Sequence, residues 1–367
     1  MPNSRQDMLT LSKVEALARD EGIPCEDALL IAINLHGITS IENRHRARVL
    51  VSLASEPKVP WHVIVPLNAT KSPFRLQGDA LYLGDEVIAH TTKIESDEAV
   101  GGYFRDDGRA ATLNPNSRSR CVGCAFCPNT LEAAADPRLS EESDLVELLA
   151  AMREQHPRGD LREFREVTVS TGCFHEEGPA VEHLQSLRSV LTDHQITARI
   201  GLLSSVIRSP EAFARLAADV NPFVLRLTIE CFTRRSLMLK ESKASLALND
   251  MARLLKDARS AGLSTSYTYI VGLDSLDDVV AGVTDLQPHV TDFPNFQVYQ
   301  AHNSIMAGLR ARGGEDLVFY LRARRAIESI VGPSGLRPKA WEGYRPLWYF
   351  TFAGQSLIDR PHVPSES

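Results

Sequence analysis

Residues 209–231 read SPEAFARLAADVNPFVLRLTIEC, a helix pattern followed directly by a strand pattern. Ser209 is placed to cap the helix, with Pro210 at its first position. Phe213 and Leu216 then repeat at helical spacing. After Asn221-Pro222 the period changes. FVLRLTIEC (223–231) is a nearly unbroken apolar and β-branched run, as expected of a strand covered on both faces.

The same unit recurs on either side. Upstream, EVTVSTG (166–172) predicts a strand, GPAVEHLQSLRSVLTDH (178–194) a helix and QITARIGLLSSVI (195–207) a strand. Downstream, residues 242–262 predict a helix ended by Gly262, LSTSYTYIVGL (263–273) a strand, 275–290 a helix and PNFQVYQAH (294–302) a strand. RAATLNP (109–115) and the helical stretch 141–157 add one more unit at the front, which makes six strands. Apolar strands alternating with helices define an α/β chain with a parallel sheet. Right-handed crossovers allow either an open doubly wound sheet or a closed or partial α/β barrel. No Gly-rich phosphate fingerprint follows the first strand, which argues against dinucleotide binding.

The flanks differ in pattern. Residues 1–100 predict a small α+β domain: helices over SKVEALARDEG, CEDALLIAINLHG and ENRHRARVLVSLAS, then strands over WHVIVPLN and DALYLGDEVIAHTT. Charged and glycine-rich residues near 95–108 mark its boundary. Residues 101–305 hold the βα units, and 306–367 form a C-terminal extension with one helix and the aromatic stretch WEGYRPLWYF. That stretch suits either a cap over the sheet or core packing.

Composition narrows the function classes. A chain of 367 residues with 43% hydrophobic content can bury a large core. The formal charge of −7 argues against nucleic acid held by net charge. No apolar run approaches the roughly 18 residues of a membrane span, and the N-terminal residues lack the apolar core of a signal peptide. A cytoplasmic protein without a membrane partner is expected. Of six cysteines, Cys25, Cys173 and Cys231 are isolated, a poor disulfide framework.

The other three stand in RSRCVGCAFCPN (118–129), in the loop after the first strand. Cys121, Cys124 and Cys127 repeat the first three positions of the ferredoxin pattern C-x2-C-x2-C-x3-C-P, but Leu131 holds the fourth. Structural zinc calls for four ligands, usually in two pairs, and no second pair is visible. A [4Fe-4S] cluster on three thiolates keeps one iron without a protein ligand, an open position for a substrate or cofactor.

With these residues the chain resembles the radical S-adenosylmethionine (radical SAM) superfamily, over roughly residues 109–305. Members of that superfamily place three cysteines after the first strand of a partial (β/α)6 barrel. The usual spacing is C-x3-C-x2-C with an aromatic before the last cysteine. Phe126 is that aromatic; the interval from Cys121 to Cys124 is one residue shorter than usual. The resemblance implies a partial TIM-like barrel flanked by the N-terminal α+β domain and the C-terminal extension. It implies a [4Fe-4S] cluster on Cys121, Cys124 and Cys127, S-adenosylmethionine (SAM) at the open iron, and an electron donor such as flavodoxin or ferredoxin.

It also implies roles for particular residues. Thr171 and Gly172 stand at the turn that receives the methionine amino group, although no glutamate follows the glycine directly. Glu230 stands where the family meets the SAM ribose, with Arg235 downstream, and Val271 and Gly272 where backbone meets adenine. Cys173 and Cys231 are candidate hydrogen-atom donors to a substrate radical, and His175 a candidate proton shuttle. Each has a plainer reading: an isolated cysteine is usually a small buried hydrophobe, and a glycine after a strand is usually a turn.

The expected reaction is reductive cleavage of SAM and hydrogen abstraction from a small-molecule substrate in a biosynthetic pathway. No second cysteine cluster and no DxHxxG-type cobalamin signature is visible, which favours a single-cluster enzyme. Competing readings are an aminocarboxypropyl or methyl transfer enzyme that cleaves SAM, and a non-catalytic iron-sulfur or zinc-binding protein.

Overall fold

The computed structural model describes residues 9–40, 46–67, 72–96, 103–106, 108–113, 123–127, 142–156, 158–170, 174, 176–339, 342 and 345–358. The chain divides into two units, residues 1–95, 297–300 and 312–367 in the first, and 96–296 and 301–311 in the second. Elements are labelled in chain order.

The first unit opens with α1 (Leu11–Glu21) and α2 (Cys25–His36). The Thr10 side chain accepts the Lys13 N–H, and Gly22, at φ +66°, closes α1 in the left-handed conformation. Every residue of α2 from Asp27 to Leu35 is buried, so this helix is covered on all sides. An antiparallel sheet follows, of β1 (Arg46–Leu53), β2 (Pro60–Pro66), β3 (Phe74–Gln77), β4 (Ala80–Leu83) and β5 (Glu86–Ser96), ordered β2-β1-β5-β4-β3.

Strand β1 corrects the helix predicted over 42–55. Its alanine, arginine and leucine favour helix locally, but Ala47, Val49, Val51 and Leu53 are fully buried while the residues between them are not. That period of two pairs with β2 from Arg46↔Pro66 to Ser52↔Pro60.

The C-terminal residues complete this unit with α11 (Leu317–Val331), β13 (Thr351–Phe352) and β14 (Gln355–Ser356). The Asp27 carboxylate, with no solvent exposure, accepts the Tyr349 N–H at 2.7 Å, the Phe350 N–H at 3.1 Å and the Thr351 N–H at 3.2 Å. Arg324 lies 3.1 Å from the same carboxylate. Trp61 meets Tyr349 and Phe350 edge-on. Of the two readings of WEGYRPLWYF, core packing describes Trp348, Tyr349 and Phe350, all buried.

The second unit contains β6 (Tyr103–Arg105), β7 (Ala110–Leu113), α3 (Glu142–Gln155), β8 (Glu166–Ser170), α4 (Glu177–Asp193), β9 (Arg199–Ser204), α5 (Pro210–Asp219) and β10 (Phe223–Glu230). It continues with α6 (Arg235–Met238), α7 (Glu241–Ala244), α8 (Leu248–Ser260), β11 (Ser264–Val271), α9 (Leu276–Leu286) and α10 (Ser304–Ala307); β12 (Asn295–Val298) begins in it, and its residues 297 and 298 count with the first unit. The helix predicted over 242–262 is two helices, α7 and α8.

The sheet runs β12-β11-β10-β9-β8-β7-β6. Neighbouring strands from β7 to β11 pair in parallel, and β6 turns back antiparallel to β7. This order has no reversal, so it lacks the switch point of a doubly wound sheet. With every crossover of one hand, all helices fall on one face. Accordingly α3 packs on α4, α4 on α5, α5 on α8 and α8 on α9. Of the two sheet types that the sequence left open, the strand order is that of the partial barrel.

Val167, Val169, Ile200, Leu202, Leu225, Leu227 and Ile229 are buried on one face of the sheet. The other face is polar. There Glu166 accepts hydrogen bonds from Arg199 at 2.7 Å, Arg226 at 2.8 Å and Thr168 at 2.9 Å, and Arg199 also meets Asp292 at 2.7 Å. Arg226 on β10 must cross β9 to reach Glu166 on β8. A Cβ on Gly201 would stand 2.1 Å from its Nη1, so glycine clears the way. Two carboxylates and two guanidiniums give a charge-balanced cluster, which offsets part of the cost of burying ions.

Candidate active site at the carboxyl end of the sheet

The three-cysteine loop follows β7 in the chain, at the end of the sheet where α/β barrels carry their sites. Residues 123–127 of the loop are described. Cys124 and Phe126 are buried and Cys127 is half-buried. The Cys127 N–H donates to the Cys124 carbonyl at 3.1 Å, which closes a turn around Ala125 and Phe126.

The turn is docked on the segment after β10. The Ala125 N–H donates to the Met238 carbonyl at 2.9 Å, and the Lys240 N–H points to Cys124 Sγ at 3.5 Å. Gly123 sits at φ +103°, where a Cβ would lie 3.1 Å from Lys240 Cβ. Glycine within the short Cys121–Cys124 interval therefore answers both a backbone angle and a close approach.

The segment that receives the loop is itself fixed. Glu230 ends β10 in the left-handed region at φ +67°, beside a register shift against β11. For a non-glycine residue this is an uncommon conformation that its surroundings must hold. The Glu230 carboxylate accepts Lys243 Nζ at 2.7 Å. Arg235 donates to the carbonyls of Ile229 at 2.7 Å, Cys231 at 2.6 Å and Lys243 at 2.8 Å, tying the end of β10 to α7.

Asp274, just past β11, holds the next turn. Buried to 1% exposure, it accepts the Phe232 N–H at 2.7 Å, the Thr233 N–H at 2.8 Å, the Thr233 hydroxyl and the Tyr269 hydroxyl at 2.7 Å. Phe232 stacks on Tyr269 with centroids 4.4 Å apart, and a Cβ on Gly282 would meet its ring at 2.6 Å. Burial, and then the Asp274 charge, push the Tyr269 hydroxyl well above its usual pKa.

The sequence-predicted residues that are described fall into three groups. Cys124, Phe126 and Cys127 share one turn, and Glu230, Cys231 and Arg235 lie on the segment that receives it. Val271 ends β11, and the carbonyl of Gly272, at φ +111°, accepts the Ala311 N–H at 2.8 Å. Cys121, Thr171, Gly172, Cys173 and His175 lie outside the described residues. Cys231 is fully buried, and burial, followed by the Asp274 charge, pushes its thiol up to about 12, so it stays protonated at neutral pH.

Among the described residues no three His, Cys, Asp or Glu side chains are grouped to hold a metal; the third cysteine, Cys121, is not one of them. None of the described helices is long and apolar enough to cross a membrane. The sequence reading missed Lys243 and the anchoring role of Asp274. The signal for Asp274 was its place after Gly272, but Phe232 and Thr233, which it holds, lie some forty residues earlier, after β10, and cannot be read locally.

No protein-family model matches the chain, and a search of curated proteins finds no match. Solved structures give partial likenesses. Streptococcus suis SuiB bound to S-adenosylmethionine matches at 12% identity and a TM-score of 0.36, over 53% of this chain and 41% of that one. SuiB bound to the precursor peptide SuiA matches at 13% identity and a TM-score of 0.35, over 51% and 38%. The radical S-adenosylmethionine methyltransferase TsrM from Kitasatospora setae, with cobalamin and a [4Fe-4S] cluster, matches at 15% identity and a TM-score of 0.33, over 48% and 32%. The matched part of this chain thus spans about two fifths or less of those proteins' lengths.

Proposed function

We propose that the chain is a radical SAM enzyme in which Cys121, Cys124 and Cys127 hold a [4Fe-4S] cluster. One observation carries the reading: a loop one cysteine short of a ferredoxin set is docked at the carboxyl end of a sequentially ordered parallel sheet. The described donors fit such a cluster, because Cys124 is buried yet its sulfur faces a backbone N–H, a contact that favours thiolate ligands. When bound, the cluster supplies the electron that cleaves SAM into methionine and a 5′-deoxyadenosyl radical, which takes hydrogen from an unactivated carbon.

The chain's own residues bind, orient and exclude water. Glu230, held by Lys243, is placed to accept the ribose hydroxyls of SAM, and the backbone at Val271 and Gly272 to meet its adenine. Thr171 and Gly172 receive its amino group, and Phe126 closes the loop beside the cluster. Arg235, with three carbonyl partners, is a positioning residue. Cys173 or Cys231 gives a hydrogen atom to the substrate radical, and the thiyl radical left behind takes an electron from the external donor and a proton through His175 to restore the thiol. Residues 1–100 are proposed to bind the small-molecule substrate, a carrier protein or a second subunit, and the electron donor is proposed to be a flavodoxin or ferredoxin.

Anaerobic reconstitution tests this. About four irons per chain, with 5′-deoxyadenosine formed only when reductant is present, is the expected result. Cys124→Ala should abolish SAM cleavage. Colourless protein with tightly bound zinc would overturn the reading, and methylthioadenosine as product would move it to aminocarboxypropyl transfer.

A further inference from the structure

The contact between Lys240 and Cys124 joins two segments far apart in sequence, and it is made by backbone. Lys240 stands between α6 and α7 at φ −59° and ψ 152°, and its carbonyl accepts the N–H groups of Lys243 and Ala244. Its N–H is thereby aimed outward, 3.5 Å from Cys124 Sγ. The Ala125–Met238 bond alongside keeps the loop from sliding, and the packing of Gly123 on Lys240 Cβ sets how closely it approaches. The fixed bonds of Arg235 and Asp274 hold the receiving segment. The N–H is thus preorganised rather than captured by a mobile sulfur.

We infer that the Lys240 backbone N–H is a redox-tuning contact that stabilises the reduced state of the iron-sulfur site through Cys124. The inference rests on the proposed function. Reduction adds negative charge that spreads onto the thiolate sulfurs, and an N–H dipole directed at one sulfur favours the more negative state. Hydrogen bonds to the sulfurs are among the determinants of cluster potential. The residue type at position 240 then matters less than the amide, and the lysine ammonium is not the active group.

The test uses the full chain, reconstituted anaerobically, in three forms. In one the Leu239–Lys240 amide is replaced by an ester, with Lys240 introduced as its α-hydroxy analogue, which removes only the N–H. In another, Lys240→Ala keeps the N–H and removes the charge. The third is the unmodified chain. Redox titration followed by electron paramagnetic resonance should show a more negative midpoint for the ester form, with iron content unchanged. At a fixed poise its reduced-to-oxidised ratio should fall several-fold, while Lys240→Ala stays close to the unmodified chain.

An ester form with an unshifted midpoint, or an equal shift in Lys240→Ala, overturns the inference. If the ester form does not load iron, the unmodified chain exchanged into deuterium oxide decides. A coupled deuteron in pulsed resonance of the reduced cluster supports the contact, and its absence overturns it. An unmodified chain that binds no iron sinks the proposed function and this inference together, whereas iron without a shift sinks the inference alone.

Discussion

The Asp274 carboxylate accepts hydrogen bonds from Phe232, Thr233 and Tyr269. Asp274→Asn keeps the shape but turns an NH2 group toward donors that then lack an acceptor. The expected cost is about 2–4 kcal/mol, measured by urea denaturation, with a loss of the proposed SAM cleavage beyond the change in folded fraction. A variant with unaltered stability would remove Asp274 as the anchor of this turn. At this scale the sequence was informative where one residue type has few uses. Three cysteines at short spacing raise the expectation of a metal-type site by themselves. Glu230 was legible as a polar strand end, but its left-handed backbone and its Lys243 partner depend on α7, and no local pattern reports that.

His183 on α4 shows what burial does along an element. It is 6% exposed, Nε2 has no hydrogen-bond partner among the described residues, and burial pulls the ring down to about 4 from an ordinary 6.5. The folded state therefore holds it neutral, and protonation favours the unfolded chain. Its contribution to stability is intact above pH 6.5 and falls away as pH drops from 6.5 toward 4, by on the order of 3 kcal/mol in total. His183→Phe should flatten the pH dependence of urea midpoints between pH 7.5 and 4.5. An unchanged slope would assign the acid sensitivity elsewhere.

The same scale explains what was legible of the fold. Strands β8 to β11 were recognisable because covered strands need apolar, β-branched runs that few helices contain. Strand β1 was misread because arginine, alanine and leucine, which also suit a helix, stand among its two buried valines, and its pairing with β2 decides the matter.

At the scale of the whole molecule, the first unit draws on both flanks of the chain. Asp27 is satisfied by residues 349–351, and Trp348 and Tyr349 are buried in the same unit. Truncation after residue 344 should leave the Asp27 carboxylate without these partners. Limited proteolysis of that variant should cut within residues 9–96 much faster than in the full chain, while residues 142–296 stay protected. Equal cutting rates would show that the C-terminal residues are dispensable to the first unit. Sequence could mark the flanks as different from the βα units, but their joint packing depends on a buried carboxylate meeting backbone amides from the other end of the chain.

The division of the chain into segments also sets an order of events during synthesis. The second unit has all its residues once Ala311 has emerged, whereas the first waits for the segment that carries Tyr349 to Thr351. A ribosome working from the N-terminus therefore exposes α1, α2 and β1 to β5 long before their last partners exist. The sheet that bears the cysteine loop can close while the earlier-made unit is still incomplete. The part of the chain translated first is, in this fold, the part finished last.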